Sequence, residues 1–112
     1  MKINEIKRGR EVLDMEARAI LALKKRVGKE FKAALELILR SKGRVVVSGM
    51  GKTGIIAQKF SATLASTGTP SLFLHLAEAS HGDLGKVTQD DVVIVLSNSG
   101  STAEVKQLLP FF

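Results

Sequence analysis

The stretch from Arg44 to Gly54 limits what this chain can fold into more than any other. Val45, Val46 and Val47 form a β-branched run that reads as a buried strand. Gly49, Met50, Gly51, Lys52, Thr53 and Gly54 follow at once as a G-x-G-x-x-G turn, and an apolar-periodic helix begins behind it. Glycine lets a backbone approach a ligand closely. The free N–H groups and the dipole at a helix N-terminus favour negative charge. Strand, turn and helix together therefore predict an anion site at the carboxyl end of a strand.

Apolar residues at Val12, Met15, Ala19, Leu23 and Val27 recur every three or four positions and predict a helix over 6–27. Gly28 bends or breaks it. The pattern resumes through Phe31, Leu35, Ile38 and Leu39 and ends at Ser41-Lys42-Gly43, with glycine where a C-terminal cap belongs. Strands are then expected over Val45–Ser48, Ser71–Leu76 and Val92–Leu96. A helix over Thr53–Ala65 is expected to turn Ile55, Ile56, Phe60 and Leu64 inward, and Gly68-Thr69-Pro70 breaks the chain before the second strand. Ala77–Gly85 reads as a short helix or loop, and Thr102–Leu109 as the start of another helix. Alternating strands and helices imply an α/β fold, a parallel sheet sandwiched between helices (αβα). It comprises an N-terminal helical segment over 1–43 and an α/β part over 44–112, within a single domain. Three strands followed by Pro110-Phe111-Phe112 look unfinished, which predicts either a longer natural protein or a core completed by another chain.

The net charge of +6 is unevenly spread. Residues 1–44 carry 13 basic and 6 acidic side chains, and residues 45–112 carry 4 and 5. Basicity thus belongs to the helical leader and not to the glycine turn. Phe31 is the one aromatic side chain there that could stack on a base, so the charge reads as a solvated helix face and argues against a nucleic-acid partner. The absence of cysteine excludes disulfides and thiolate metal sites. No apolar run reaches the roughly 20 residues of a membrane span, and no signal-peptide pattern opens the chain, so the cytoplasm is the expected compartment.

Ser97-Asn98-Ser99-Gly100-Ser101-Thr102 follows the third strand and opens a helix, offering hydroxyls and N–H groups suited to a dianionic phosphate. One hydroxyl would suffice for a helix cap. Glu78-Ala79-Ser80-His81-Gly82-Asp83 places a titratable histidine in a polar loop after the second strand. His75, inside an apolar strand, reads as core or interface, and Glu104 as a solvated charge or a carboxylate base. A dinucleotide fingerprint would also need an acid at the end of the second strand, where Glu78 is the candidate. A phosphate-binding P-loop would need glycine at position 46, which is valine.

Taken together, Gly49–Gly54, Ala65-Ser66-Thr67-Gly68-Thr69-Pro70, Ala77–Gly85 and Ser97–Gly100 resemble the sugar isomerase (SIS) domain, and within it the arabinose-5-phosphate isomerases. The resemblance implies aldose–ketose isomerisation of ribulose 5-phosphate and arabinose 5-phosphate through an enediol(ate), feeding lipopolysaccharide synthesis. It implies phosphate binding by Gly51, Thr53, Ser97, Ser99, Gly100 and Thr102, and catalytic roles for Lys52, His81 and Glu104. Either His81 or Glu104 could serve as the base, and Lys52 could stabilise the charge that develops on oxygen. The scheme requires no cofactor and no metal. The terminal phenylalanines and the short sheet predict a homo-oligomer that buries Phe111 and Phe112, and the resemblance implies that further site residues often come from a neighbouring subunit.

The chain departs from the family pattern at Thr53, Ile55, Ala57, Leu76 and Ser101. It lacks the two further strands that carry another active-site glutamate and histidine, so these residues alone are expected to be inactive. The alternative reading is a non-catalytic module that binds sugar phosphates or regulates in response to them.

Overall fold

The computed structural model describes residues 2–79, 82–100, 103 and 106. The chain divides into two compact units, 1–36 and 37–112. The first contains α1 (Glu5–Ala22), a 3-10 turn over Leu23–Arg26 and most of α2 (Lys29–Arg40). Asn4 caps α1: its side chain accepts the Lys7 N–H at 3.0 Å, while Glu5 complements the helix dipole in the first turn. The helix breaks at Val27, whose ψ of 97° is extended, just before Gly28. Leu13, Met15, Ile20, Leu21, Leu23 and Val27 all remain exposed, and α1 buries no residue.

The second unit is built on β1 (Val45–Gly49), β2 (Ser71–His75) and β3 (Val92–Val95). All pairings are parallel and the order is β2-β1-β3. The central strand is buried along its whole length, as a strand covered on both faces must be. Val46 packs with Leu74 and Leu76 on one face. On the other, Val45 and Val47 meet Ala57 of α3 (Lys52–Ser66), together with Phe73, Leu64 and Ile38. Ile38 lies in the last turn of α2, so that turn belongs to the core of the second unit.

The burial of α3 corrects the sequence expectation. Its inward stripe is Gly54, Ala57 and Ser61, joined by half-buried Leu64. Ile55 and Ile56 are 65% and 61% exposed, and Phe60 also faces outward. The sheet face is already filled by Val45, Val47 and Phe73, so the helix covering it presents its small side chains. Ser61 extends this close fit with a polar chain: Ser71 Oγ donates to the Val45 carbonyl at 2.7 Å, and the two serine hydroxyls lie 2.8 Å apart. After β2 the chain forms a one-turn helix, α4 (Leu76–Ala79), and a 3-10 turn over Asp83–Lys86. Of the helix expected over Thr102–Leu109, Ala103 and Lys106 are described and are helical. Phe111 and Phe112 lie outside the described residues.

A polar knot ties the amino-terminal ends of the sheet together. The Asp91 carboxylate, with 2% of its side chain exposed, accepts the Arg44 N–H at 2.7 Å and the Thr88 N–H at 2.8 Å. The Arg44 guanidinium lies 3.7 Å from it and donates to the Lys86 carbonyl at 2.7 Å. Gly43 donates to the Asp90 carbonyl at 2.9 Å, and a Cβ there would meet Asp91 Oδ1. The Thr88 and Arg44 N–H groups hold the Asp91 carboxyl below the usual carboxylate range, against the opposing effect of burial.

Because the folded-state value lies below the unfolded one, the ionised group favours folding. This contribution is complete above about pH 5 and fades as pH falls through the folded value. Asp91→Asn, which leaves one N–H without an acceptor, should cost about 1–3 kcal/mol at neutral pH. Wild type should lose that advantage in acid. Denaturant titration at several pH values measures this; equal stability of the two proteins at pH 7 would refute it.

Candidate functional site

All three strands end at the same edge, and the first helix leaves β1 toward β2 while β3 lies on the other side. The gap between β1 and β3 is therefore the switch point at which open α/β sheets take ligands. Two turns frame it.

The first turn joins β1 to α3. Gly51 has φ +60° and ψ −128°, a conformation that L side chains rarely adopt. Gly49 and Gly54 are needed for another reason: proximity. A Cβ on Gly49 would lie 2.8 Å from the Thr53 carbonyl, and one on Gly54 would lie 3.2 Å from the Gly49 oxygen. Thr53 Oγ1 closes the turn by accepting the Met50 N–H at 3.1 Å and donating to the Met50 carbonyl at 2.8 Å. The N-cap of α3 is Gly51, which has no side chain to cap the helix. Ile55 is the first residue whose N–H bonds back, to the Gly51 carbonyl at 3.3 Å. The N–H groups of the preceding first turn have no intrahelical acceptor.

The second turn follows β3. Leu96 donates to the Ser48 carbonyl at 2.8 Å, which extends the pairing by one residue. The Gly100 N–H then donates to Ser97 Oγ at 2.8 Å, with Gly100 at φ +69°. Ser97 Oγ is thus an acceptor within the turn, and its own proton has no acceptor among the described residues. A hydroxyl in that state is ready to donate to an anion.

Between the turns lies a cavity of about 340 Å³. Gly51, Thr53, Ser97, Asn98 and Ser99 give it a polar wall; Met50, Leu76 and Leu96 give it an apolar floor. The structure brings together four of the candidate phosphate residues, Gly51, Thr53, Ser97 and Ser99, and Gly100 braces Ser97 from behind. Lys52 sits on the first turn of α3, exposed, unpaired among the described residues and outside the cavity lining. His81, Thr102 and Glu104 lie outside the described residues. Met50, Leu76, Leu96 and Asn98 were not among the candidate site residues, although Met50 and Asn98 lie within the two motifs and Leu76 marks a departure from the family pattern. Their signal was position, at or just past the carboxyl end of each strand. Glu78 lies in α4, past the end of β2 at His75, so the dinucleotide reading lacks its strand-end acid.

Comparison with known proteins supplies a family. The SIS domain model matches residues 37–112. An arabinose 5-phosphate isomerase of Pseudomonas aeruginosa is 60% identical over 98 residues, covering 88% of this chain and 30% of that protein. A solved Escherichia coli CFT073 protein in complex with arabinose 5-phosphate superposes with TM-score 0.80 at 43% identity, covering 97% of this chain and 60% of that one. A Listeria monocytogenes structure reaches TM-score 0.86 at 29% identity, covering 98% of this chain and 59% of its own. The chain therefore spans about 30% of the length of that curated relative and about 60% of the solved chains. Residues 37–112, the matched span, are also the second compact unit. This chain belongs to the SIS domain family.

Proposed function

We propose that this chain carries the phosphate-binding part of an aldose–ketose isomerase that interconverts ribulose 5-phosphate and arabinose 5-phosphate in the cytoplasm, for lipopolysaccharide synthesis. The observation that carries this reading is the pair of turns around one cavity, with the α3 N-terminus uncapped and the Ser97 proton available. A dianionic phosphate offers only acceptors, so it needs such donors. Similarity to an arabinose 5-phosphate isomerase and to a protein solved with arabinose 5-phosphate supports the choice of substrate.

In this scheme the phosphate rests on Ser97, Ser99, Thr102 and the backbone of Gly51 and Gly100. Thr53 holds the turn, and its hydroxyl would have to leave the Met50 carbonyl in order to donate to phosphate. A base, His81 or Glu104, removes a proton from the carbon beside the carbonyl. The electron pair forms the enediolate, the hydroxyl proton passes from one oxygen to the other, and the first proton returns to the neighbouring carbon. Lys52 offsets the charge on the enediolate oxygen.

The test is turnover by the 112-residue chain and by any longer product of the same open reading frame. Turnover by the longer product is expected. Ser97→Ala there should lower kcat/KM roughly tenfold or more through one lost charge-assisted bond. Binding of pentose phosphate without turnover in either form would favour the non-catalytic module instead.

The same reading includes a homo-oligomer. It is supported by the exposed apolar side chains of α1 and by Ile55, Ile56 and Phe60 on α3. Each buried side chain of this kind is worth about 1.5–3 kcal/mol, so an assembly should persist at micromolar concentration. Sedimentation should show a dimer or larger, and Ile20→Glu with Ile56→Glu should weaken it. A wild-type monomer would contradict it.

A further inference from the structure

His75 is the last residue of β2 and immediately precedes Leu76, the first residue of α4. It therefore occupies the N-cap position of that one-turn helix. Its Nδ1 accepts the Ala77 N–H at 3.2 Å, which is the bond an N-cap side chain makes to the second helical residue. Serine, threonine, asparagine and aspartate are the usual caps; here an imidazole takes their place. A ring nitrogen that accepts carries no proton, so the ring is held with its proton on Nε2. Phe73 fixes the ring plane from two residues earlier, edge to face at 90° and 6.1 Å between centroids.

The position of this cap gives it consequence. His75 pairs in register with Gly49, the last residue of β1, at the edge where the ligand site opens. Leu76, the residue after the cap, is 1% exposed and forms part of the cavity floor. His75 itself does not line the cavity. Its ring shares the sheet face of Phe73, which packs toward α3, whereas Leu76 packs with Val46 and Leu74 on the opposite face. The two side chains thus face opposite sides of the sheet, as alternation along a strand requires, and the imidazole bond to Ala77 ties the first turn of α4 to the end of β2.

We propose that His75 is a positioning residue for the isomerisation site: its imidazole caps α4 and so holds Leu76 in the cavity lining. The proposal rests on the isomerase reading given above. It assigns His75 no contact with substrate.

Two variants test it. Asparagine is among the best N-cap acceptors and should restore the bond, whereas alanine cannot. In the 112-residue chain, His75→Ala should speed amide exchange at Ala77 about fivefold or more, and His75→Asn should return it to near the wild-type rate. In wild type the nitrogen resonances of His75 should show Nδ1 unprotonated. In the longer product, His75→Ala should lower kcat/KM for the pentose phosphate about tenfold. His75→Asn should recover most of the loss.

Equal exchange at Ala77 in wild type and His75→Ala would overturn the cap. Equal kcat/KM in wild type and His75→Ala, or a His75→Asn enzyme no better than His75→Ala, would overturn the positioning role. Absence of turnover in the wild-type longer product would refute the isomerase reading instead, and the amide measurement would still decide the cap.

Discussion

The contact between the end of β1 and the start of α3 is the constraint on which the rest depends. A side chain on Gly49 would drive its Cβ to 2.8 Å from the Thr53 carbonyl, and Gly54 faces back onto Gly49 almost as closely. With no side chain on either glycine, the helix lies directly against the strand it has just left. The small stripe of Gly54, Ala57 and Ser61 keeps it there. This approach brings the uncapped first turn of α3 to the edge of the sheet, where its N–H groups and dipole meet whatever occupies the cavity. Larger residues in that stripe would lift the helix from the sheet and carry the anion site with it.

The two ends of the sheet divide the polar work. At the amino end, Asp91 is saturated by the N–H groups of Arg44 and Thr88, and Arg44 is tied to the Lys86 carbonyl. Those groups serve rigidity. At the carboxyl end, the proton of Ser97 and the first N–H groups of α3 have no acceptor among the described residues. Donors at that end are what the proposed anionic ligand would need. Thr53 stands between the two cases: its hydroxyl closes the Met50 turn while lining the cavity.

Much of this was legible in the residues. The run Val45–Val47, the glycine turn and the serine cluster are local signals, and local geometry decides them; the strands and α3 fall within a residue or so of where the pattern put them. The inward face of α3 was misread because periodicity ranks residues by hydropathy, whereas packing ranks them by fit. Ile55 and Ile56 are more apolar than Gly54 and Ser61, yet only the small residues fit against a sheet face already filled by valines and Phe73. The Asp91 knot was invisible because it joins residues 47 and 42 positions apart. The His75 cap was hidden by its residue type, since imidazole is not a usual capping group. Gly51, Thr53, Ser97 and Ser99 line one cavity because parallel topology brings strand ends together.

The central claim is that the two turns form one phosphate cradle, and the most direct measurement is a titration of the isotope-labelled chain with inorganic phosphate, followed by amide resonances. Saturable shifts should concentrate at Gly51–Gly54 and Ser97–Gly100, moving together with a single dissociation constant. Shifts confined to the basic run Lys24–Arg26, or two turns responding with different constants, would contradict a shared cradle.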